Sequence, residues 1–411
     1  METAFEDDVQ LEFNATVGTG NNGSDDYPYY SDPNDAFLGS VFLFSVSLLE
    51  ALISIIGLGG NILVFYVVCR FSAMHTVTNI FILALALADI AFLVNVPLLI
   101  ATSILGYWPF GNMYCKIYYS VTTVNQFASS FFLVIMSADR FFAICHPLWS
   151  RKIRTTTSAA VLCILVWMIA VVLMYPVYEY SGEISISNAT NSISCNIDWP
   201  ESEVMELNGP SGFALYCFVI GFALPVALMI TCYGLVLRRL RSSHAKVALD
   251  SAHLHFESPA NYRRRLKLRR VTMMIFVVII VYLLCWTPYW VLQMYIVFSD
   301  DLEDSFTIII TCLSLQCLCF ANSAINPILY ACLSENFKKS YCKAFKRTPR
   351  DNKPTKTTPL LVVPDASTIR EATGVNSCTR ASLQTIPQAQ IEVLLKVGAF
   401  LTVERNLLVM L

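Results

Sequence analysis

Seven long apolar runs decide what this chain can fold into. They cover roughly 38–69, 76–104, 112–145, 157–179, 211–237, 271–298 and 305–331. A hydrocarbon core of about 30 Å is crossed by about 20 apolar residues in a helix, and each run is long enough. With no water in that layer, every backbone N–H and C=O must pair within its own segment, so the runs are read as helices. The expected fold class is an all-α membrane protein, a seven-transmembrane helix bundle. Composition agrees: 14% of the 411 residues are charged and 55% are hydrophobic, whereas soluble domains carry about 25% charged residues. No enzyme is expected.

Charge gives the bundle an orientation. Residues 1–69 contain no Lys or Arg, and the first 36 are acidic from Glu2 to Asp35. Basic residues gather at alternate breaks: Arg70 and His75; Arg151, Lys152 and Arg154; Arg238 through Arg270, including Arg263 to Arg265; then Lys338, Lys339, Lys343, Lys346 and Arg347. Lys116 is the basic residue found at the other side. The positive-inside rule places the N-terminus outside and the C-terminus in the cytoplasm of a multi-pass plasma-membrane protein. The first run lacks a basic flank and is too long for the core of a signal peptide, so it reads as the first span.

The organisation follows. Residues 1–37 form an extracellular tail whose composition predicts disorder, with glycosylation sequons at Asn14 and Asn22 and a third, Asn188, in the second outer break. Residues 38–331 are the membrane domain. Leu333, Phe337, Tyr341 and Phe345 then repeat at helical spacing among lysines, predicting an amphipathic helix over 332–347 on the inner face. Cys342 there is a candidate for lipidation, with an unmodified thiol as the alternative. Residues 348–411 are a cytoplasmic tail, turning apolar again from Ile391 but interrupted by Lys396, Glu404 and Arg405. Of 14 cysteines, only Cys115 and Cys195 fall at outer positions, which makes one disulfide the economical expectation. The outer breaks are acidic (Glu183, Asp198, Glu201, Glu203, Glu206; Asp300, Asp301, Glu303, Asp304). That is either ordinary solvated charge or a funnel steering a cationic ligand.

The third run organises the rest. From Cys115 to Arg140 it rises about 37 Å as a helix, so one element reaches both water boundaries. Between its ends Thr122, Asn125, Gln126 and Ser129 form a polar line that must face the bundle interior. Ionisable groups within spans are costly and are functional candidates. They are few: Glu50, Asp89, and the pair Asp139–Arg140. Asp89 needs partners; Asn125 and Ser129 share one face of the third helix, and Asn322, Ser323 and Asn326 form a second polar cluster. Such oxygens around one carboxylate suit a small hard cation or an ion-free water network equally. Prolines 97, 176, 225, 288 and 327 fall within runs and permit bends. The last run holds no Lys for a retinal Schiff base, and the paired buried charges and matched broken helices of transporters are absent.

Taken together, Gly60-Asn61, Leu85-Ala86-Leu87-Ala88-Asp89, Cys115, Asp139-Arg140-Phe141, Trp167, Pro225, Tyr233, Cys285-Trp286-Thr287-Pro288 and Asn326-Pro327-Ile328-Leu329-Tyr330 resemble a rhodopsin-like G-protein-coupled receptor over roughly 38–347. Three stretches resemble the invertebrate allatostatin C receptors, relatives of somatostatin and opioid receptors. They are Asn125 to Ser130 running on to Ser137–Arg140, Ser194 to Pro200, and Asn322 to Pro327 through Leu333–Phe337. Thr122 departs from the somatostatin, opioid and amine receptors, which carry an aspartate there. Phe141 and Tyr282 are milder departures.

The resemblance implies a receptor for a small neuropeptide, cyclised by its own disulfide, of the allatostatin C or somatostatin type. Another peptide of the opioid-like group is the alternative, and a transporter or channel the remote one. It implies a Cys115–Cys195 disulfide over the pocket; ligand contacts at Thr122, Gln126, Tyr289, Trp290, Gln293 and Gln316; and a switch of Asp139, Arg140, Tyr233, Trp286, Pro288, Asn326, Pro327 and Tyr330. No cofactor is expected beyond the option of an allosteric sodium ion, which would sit among Asp89, Asn125, Ser129, Asn322, Ser323 and Asn326. Partners implied are a heterotrimeric G protein of the inhibitory class, a receptor kinase and arrestin acting on tail threonines such as Thr355, Thr357 and Thr358, and the bilayer. No nucleic acid is expected.

Overall fold

The computed structural model describes residues 33–187, 192–199, 209–250, 259–299 and 305–345. Expectations at Asn14, Asn22, Asn188 and the tail beyond 345 lie outside them. Seven described helices are long and apolar enough to cross a membrane. The first span is Pro33–Arg70, the second Val77–Leu105, the third Asn112–Cys145 and the fourth Thr156–Leu173. The fifth runs from Gly209 to Asp250, the sixth is Pro259–Phe298 and the seventh Ser305–Leu333.

Local chemistry sets the ends. The second span starts at Thr76, whose hydroxyl accepts from the Asn79 N–H, and stops at Gly106, which takes the left-handed conformation that glycine adopts without strain. Thr155 caps the fourth span by accepting from the Ser158 N–H at 3.0 Å. The apolar run 157–179 is not one helix. It breaks at Met174, and Pro176 opens a separate short helix, Tyr175–Tyr180, because proline at the first turn forgoes an N–H that has no intrahelical partner there. In the fifth span the turn Val219–Ala223 widens to π geometry just before Pro225, where the proline cannot continue the i→i−4 ladder.

The third span is central. It packs against the second, fourth, fifth and sixth, and its apolar side buries Phe127, Phe132, Leu133 and Met136. Outward faces carry what lipid requires: Ile164, Leu165, Met168 and Ile169 of the fourth span are exposed. The first span lies against the second and seventh, and the second and seventh meet through Phe92, Leu93, Val96 and Phe320.

Two features stand outside the apolar pattern. Strands β1 (Ser181–Ser187) and β2 (Ser192–Ile197) pair antiparallel between the fourth and fifth spans. Between the third and fourth lies a seven-residue helix, Pro147–Ile153, with Leu148 exposed. The expected amphipathic helix forms separately as Glu335–Phe345, with Phe337 and Tyr341 in edge contact at 5.8 Å. Cys342 lies on this helix, and its acylation stays a proposal.

Candidate functional site

Three stations lie along the third span. Near its N-terminal end Cys115 is bonded to Cys195 of β2, with Cα atoms 5.5 Å apart. The hairpin is held by more than this bridge. The Trp108 N–H donates to Ile193 O at 2.8 Å, the Tyr119 hydroxyl to Cys195 O at 3.3 Å, and the Glu183 N–H to Asn112 Oδ1 at 3.1 Å. Lys116 donates to the carbonyls of Tyr178 and Glu179, satisfying the C-terminal end of the short helix before β1.

Below lies a cavity between the second, third, sixth and seventh spans. Thr122, Gln126, Tyr289 and Gln316 line it, with Trp286 and apolar groups such as Phe92, Leu99 and Phe320. Trp290 and Gln293 do not line it. The Trp290 ring lies 5.6 Å from Phe218 and 6.1 Å from Phe222 of the fifth span, so it packs spans five and six together. The polarity of this cavity is specific. Thr122 spends its hydroxyl proton on Tyr118 O at 2.8 Å, leaving only lone pairs to offer. Gln126 Nε2 and Trp286 Nε1 are buried donors with no hydrogen-bond partner among the described residues. Among the described residues no carboxylate lines the cavity.

One level deeper is Asp89, fully buried. Ser323 donates to its Oδ1 at 2.7 Å and Asn326 Nδ2 to its Oδ2 at 3.0 Å. Ser129 donates to Asn125 Oδ1 at 3.0 Å on the facing helix. Asn61 reaches over from the first span to Ser323 O at 3.0 Å. Asn326 Oδ1 and Asn61 Oδ1 are buried acceptors without a donor. No group of three His, Cys, Asp or Glu occurs among the described residues, so a soft metal has no ligand set. One carboxylate with orphaned amide oxygens fits a hard cation instead.

The station toward the C-terminal end of the third span is an ion cluster. Arg140, buried, donates from Nη2 and Nε to Asp139 Oδ2, and from Nη2 to Thr78 Oγ1 at 2.7 Å. Asp139 holds a second guanidinium: Arg154 donates from Nη2 to Oδ2 at 3.1 Å and from Nε to Oδ1. The sixth span carries no Asp or Glu over 259–298, so Arg140 has no acidic partner on that helix. Tyr233 instead ties the fifth span to the sixth, donating to Thr272 O at 3.3 Å. Tyr330 is buried on the seventh span, and Pro288 and Pro327 sit inside helices six and seven.

Thr78 and Arg154 are members of these networks that their sequence context does not single out, and Asn61, a motif residue, enters the Asp89 network without having been placed there by the sequence. Arg154 reads as one of several loop cations, and only the return of the chain to the third helix pairs it with Asp139. Gly221 is another. A Cβ there would stand 3.3 Å from Phe127 and 3.4 Å from Gln126 Nε2, so its absence gives the Gln126 amide room.

A seven-helix bundle, a disulfide at one end of the third span and an Asp–Arg pair at its other end are the features of a rhodopsin-like receptor. The chain matches the family described as 7 transmembrane receptor (rhodopsin family) over residues 60–330, and it belongs to that family. Among curated proteins it is 34% identical to somatostatin receptor type 2 of Sus scrofa over 337 residues, 80% of this chain and 83% of the relative. It is 34% identical to somatostatin receptor type 1 of Rattus norvegicus over 314 residues, 76% and 74% of the two chains. Against somatostatin receptor type 3 of Homo sapiens it is 35% identical over 307 residues, 74% and 69%. The protein is thus a multi-pass G-protein-coupled receptor of the somatostatin-receptor group, and not an enzyme.

Proposed function

We propose that this receptor binds a small disulfide-cyclised peptide of the allatostatin C type and activates an inhibitory heterotrimeric G protein. The observation that carries the reading is the cavity floor: Gln126 Nε2 and Trp286 Nε1 are unpaired donors, and no carboxylate accompanies them. A buried donor without a partner costs about 1–3 kcal/mol. Peptide carbonyls or side-chain amides would satisfy it, whereas a ligand ammonium would find no counter-charge at Thr122. This favours a peptide read through neutral contacts over one anchored by a lysine, as an aspartate at position 122 would require. Resemblance to allatostatin C receptors over the motifs around Gln126, Cys195 and Asn326 points the same way.

In this reading the N-terminus and the hairpin face outward, and the acidic outer loops attract the peptide. Binding against Trp286 shifts a two-state equilibrium, with Pro288 as the bend about which the sixth span moves. A sodium ion held by Asp89 with oxygens of Asn125, Ser129, Asn322, Ser323 and Asn326 favours the inactive state, the seventh span being drawn to the second through Ser323 and Asn326 at the same carboxylate. Arg140 leaves Asp139 for the G protein, and Tyr233 leaves Thr272 O as the sixth span swings. Glycans on Asn14, Asn22 and Asn188, a lipid on Cys342, and phosphates on the tail that recruit arrestin complete the proposal.

The test is a panel of synthetic cyclic peptides applied to cells expressing the receptor, with a potassium-channel or cAMP readout. A response to allatostatin C-type peptides and none to opioid peptides is expected. Response to an opioid peptide alone would replace the ligand assignment; substrate flux in proteoliposomes lacking G protein would replace the receptor reading.

A further inference from the structure

Among the described residues three carboxylates are buried: Glu50, Asp89 and Asp139. Asp89 has Ser323 and Asn326 as partners, and Asp139 has two guanidinium groups. Glu50 is only 2% exposed, yet its Oε1 has no hydrogen-bond partner. The first span packs against the second and seventh. Those two carry no Lys, Arg or His, and the first carries Arg70 alone, at its last residue. A buried carboxylate without a partner is strongly unfavourable. An ionisable group kept within a span at that cost is a binding candidate.

Packing fixes where Glu50 stands. Ser47, Glu50, Ser54 and Asn61 fall on one buried face of the first span. Pro97 leaves the Leu93 carbonyl without its helical donor, and the Ser54 hydroxyl donates to it at 2.9 Å. Against the seventh span, a Cβ on Gly57 would meet Ala324 at 3.1 Å and one on Gly60 would meet Pro327 at 2.9 Å. Two turns before Gly57, the same register sets Glu50 beside Cys317, its electrostatic neighbour. On the second span, which runs the other way, the turn after Leu93 holds Val96 and Leu99. Val96, Leu99 and Gln316 all line the cavity. Glu50 therefore stands behind that wall of the cavity.

We infer that Glu50 is the counter-charge for a cationic group of the peptide, an ammonium or guanidinium on a long stem. The inference rests on the reading of the chain as a peptide receptor entered from the hairpin side. Glu183 and Asp198, in and beside the hairpin, favour a cationic ligand there. At the cavity itself Thr122 offers only lone pairs, and no carboxylate is found among the described lining residues. The charge is met at the side, and the floor stays neutral. A lysine or arginine stem suits the path: its methylenes pack on Val96 and Leu99 while its head reaches the carboxylate. The pair forms charge-assisted hydrogen bonds among apolar neighbours, where screening is weak. Glu50 thus selects peptides by charge, and Gln126 with Trp286 selects them by neutral acceptors.

The probe is a cyclic allatostatin C-type peptide. Its analogues have each lysine acetylated, each arginine replaced by citrulline, or the terminal amine acetylated, one change at a time. Affinity is measured on the full-length receptor in lipid nanodiscs. One neutral analogue should bind the parent about thirtyfold more weakly, the loss expected when one partner of a buried charge pair is removed. Glu50→Gln should lose the same factor for the unmodified peptide and nothing further for that analogue. Glu50→Asp keeps the charge but shortens its reach, so it should fall between the two while binding the analogue as the parent does. Ser54→Ala, which loses only the bond to Leu93 O, should keep the full preference for the charged peptide. Parent affinity unchanged by every neutralisation overturns the inference. So does an equal loss for charged and neutral peptides in Glu50→Gln or Glu50→Asp, which is what a merely structural role would give. The ligand reading fails separately: if the allatostatin C-type peptide does not bind the parent, the same cycle with a somatostatin and an opioid peptide decides the role of Glu50. Binding by none of them overturns both.

Discussion

Replacing Asp139 with Asn tests the inner cluster with little change of shape. Arg140 donates twice to Asp139 and once to Thr78, and both partners of the ion pair are almost fully buried. The neutral amide still accepts a hydrogen bond, so the loss is the charge assistance, about 1.5–3 kcal/mol for a hydrogen bond to a charged group. The loss falls on the inactive arrangement alone, because in the active one Arg140 is no longer on Asp139. At about 1.4 kcal/mol per tenfold change, the equilibrium should move ten- to about a hundredfold toward the active state. The Arg154 contact adds little to this figure, since that side chain is partly exposed and screened. The assay is basal nucleotide exchange on added G protein, without ligand, at matched receptor density. A rise of at least severalfold is expected. No rise, with the receptor folded and present, would show that Asp139 does not restrain Arg140.

Three further outcomes follow from the other stations. Asp89→Asn should abolish the sodium dependence of agonist binding, measured by titrating sodium against potassium at constant ionic strength; undiminished dependence would remove the ion site. Cys195→Ala should release β2 from Cys115 and lose peptide binding at the cell surface, and normal binding would show that the hairpin holds its place without the bridge. Gly60→Ala should lower thermal stability, because its Cβ would stand 2.9 Å from the rigid Pro327 ring. Such overpacking costs about 1–3 kcal/mol, while Gly59→Ala, with open space around it, should leave the melting temperature unchanged.

The bundle was legible because lipid enforces it: the apolar runs had to become helices, although 157–179 breaks at Met174. The disulfide was legible because only Cys115 and Cys195 stood at outer positions. The hairpin was not, since residues 181–197 alternate too weakly to separate a strand from an acidic loop. Asp89 with Ser323 and Asn326 came together as the polar spacing required, since an interior carboxylate must find donors. Trp290 shows the limit of such reasoning. A tryptophan four residues after Trp286 shares its general face, yet the rotation of the helix turns it to Phe218 and Phe222. Arg154 shows another limit, because a loop cation has no periodicity, and its pairing with Asp139 depends on where the short helix Pro147–Ile153 returns the chain.

The central claim is that one helix joins an outer binding event to an inner exchange event through separable stations. Arg140→Ala in the purified receptor, with peptide binding and nucleotide exchange measured on the same preparation, tests it most directly. The account predicts peptide affinity close to the parent and loss of peptide-stimulated exchange. Exchange that persists, or binding that falls in step with it, would contradict the account.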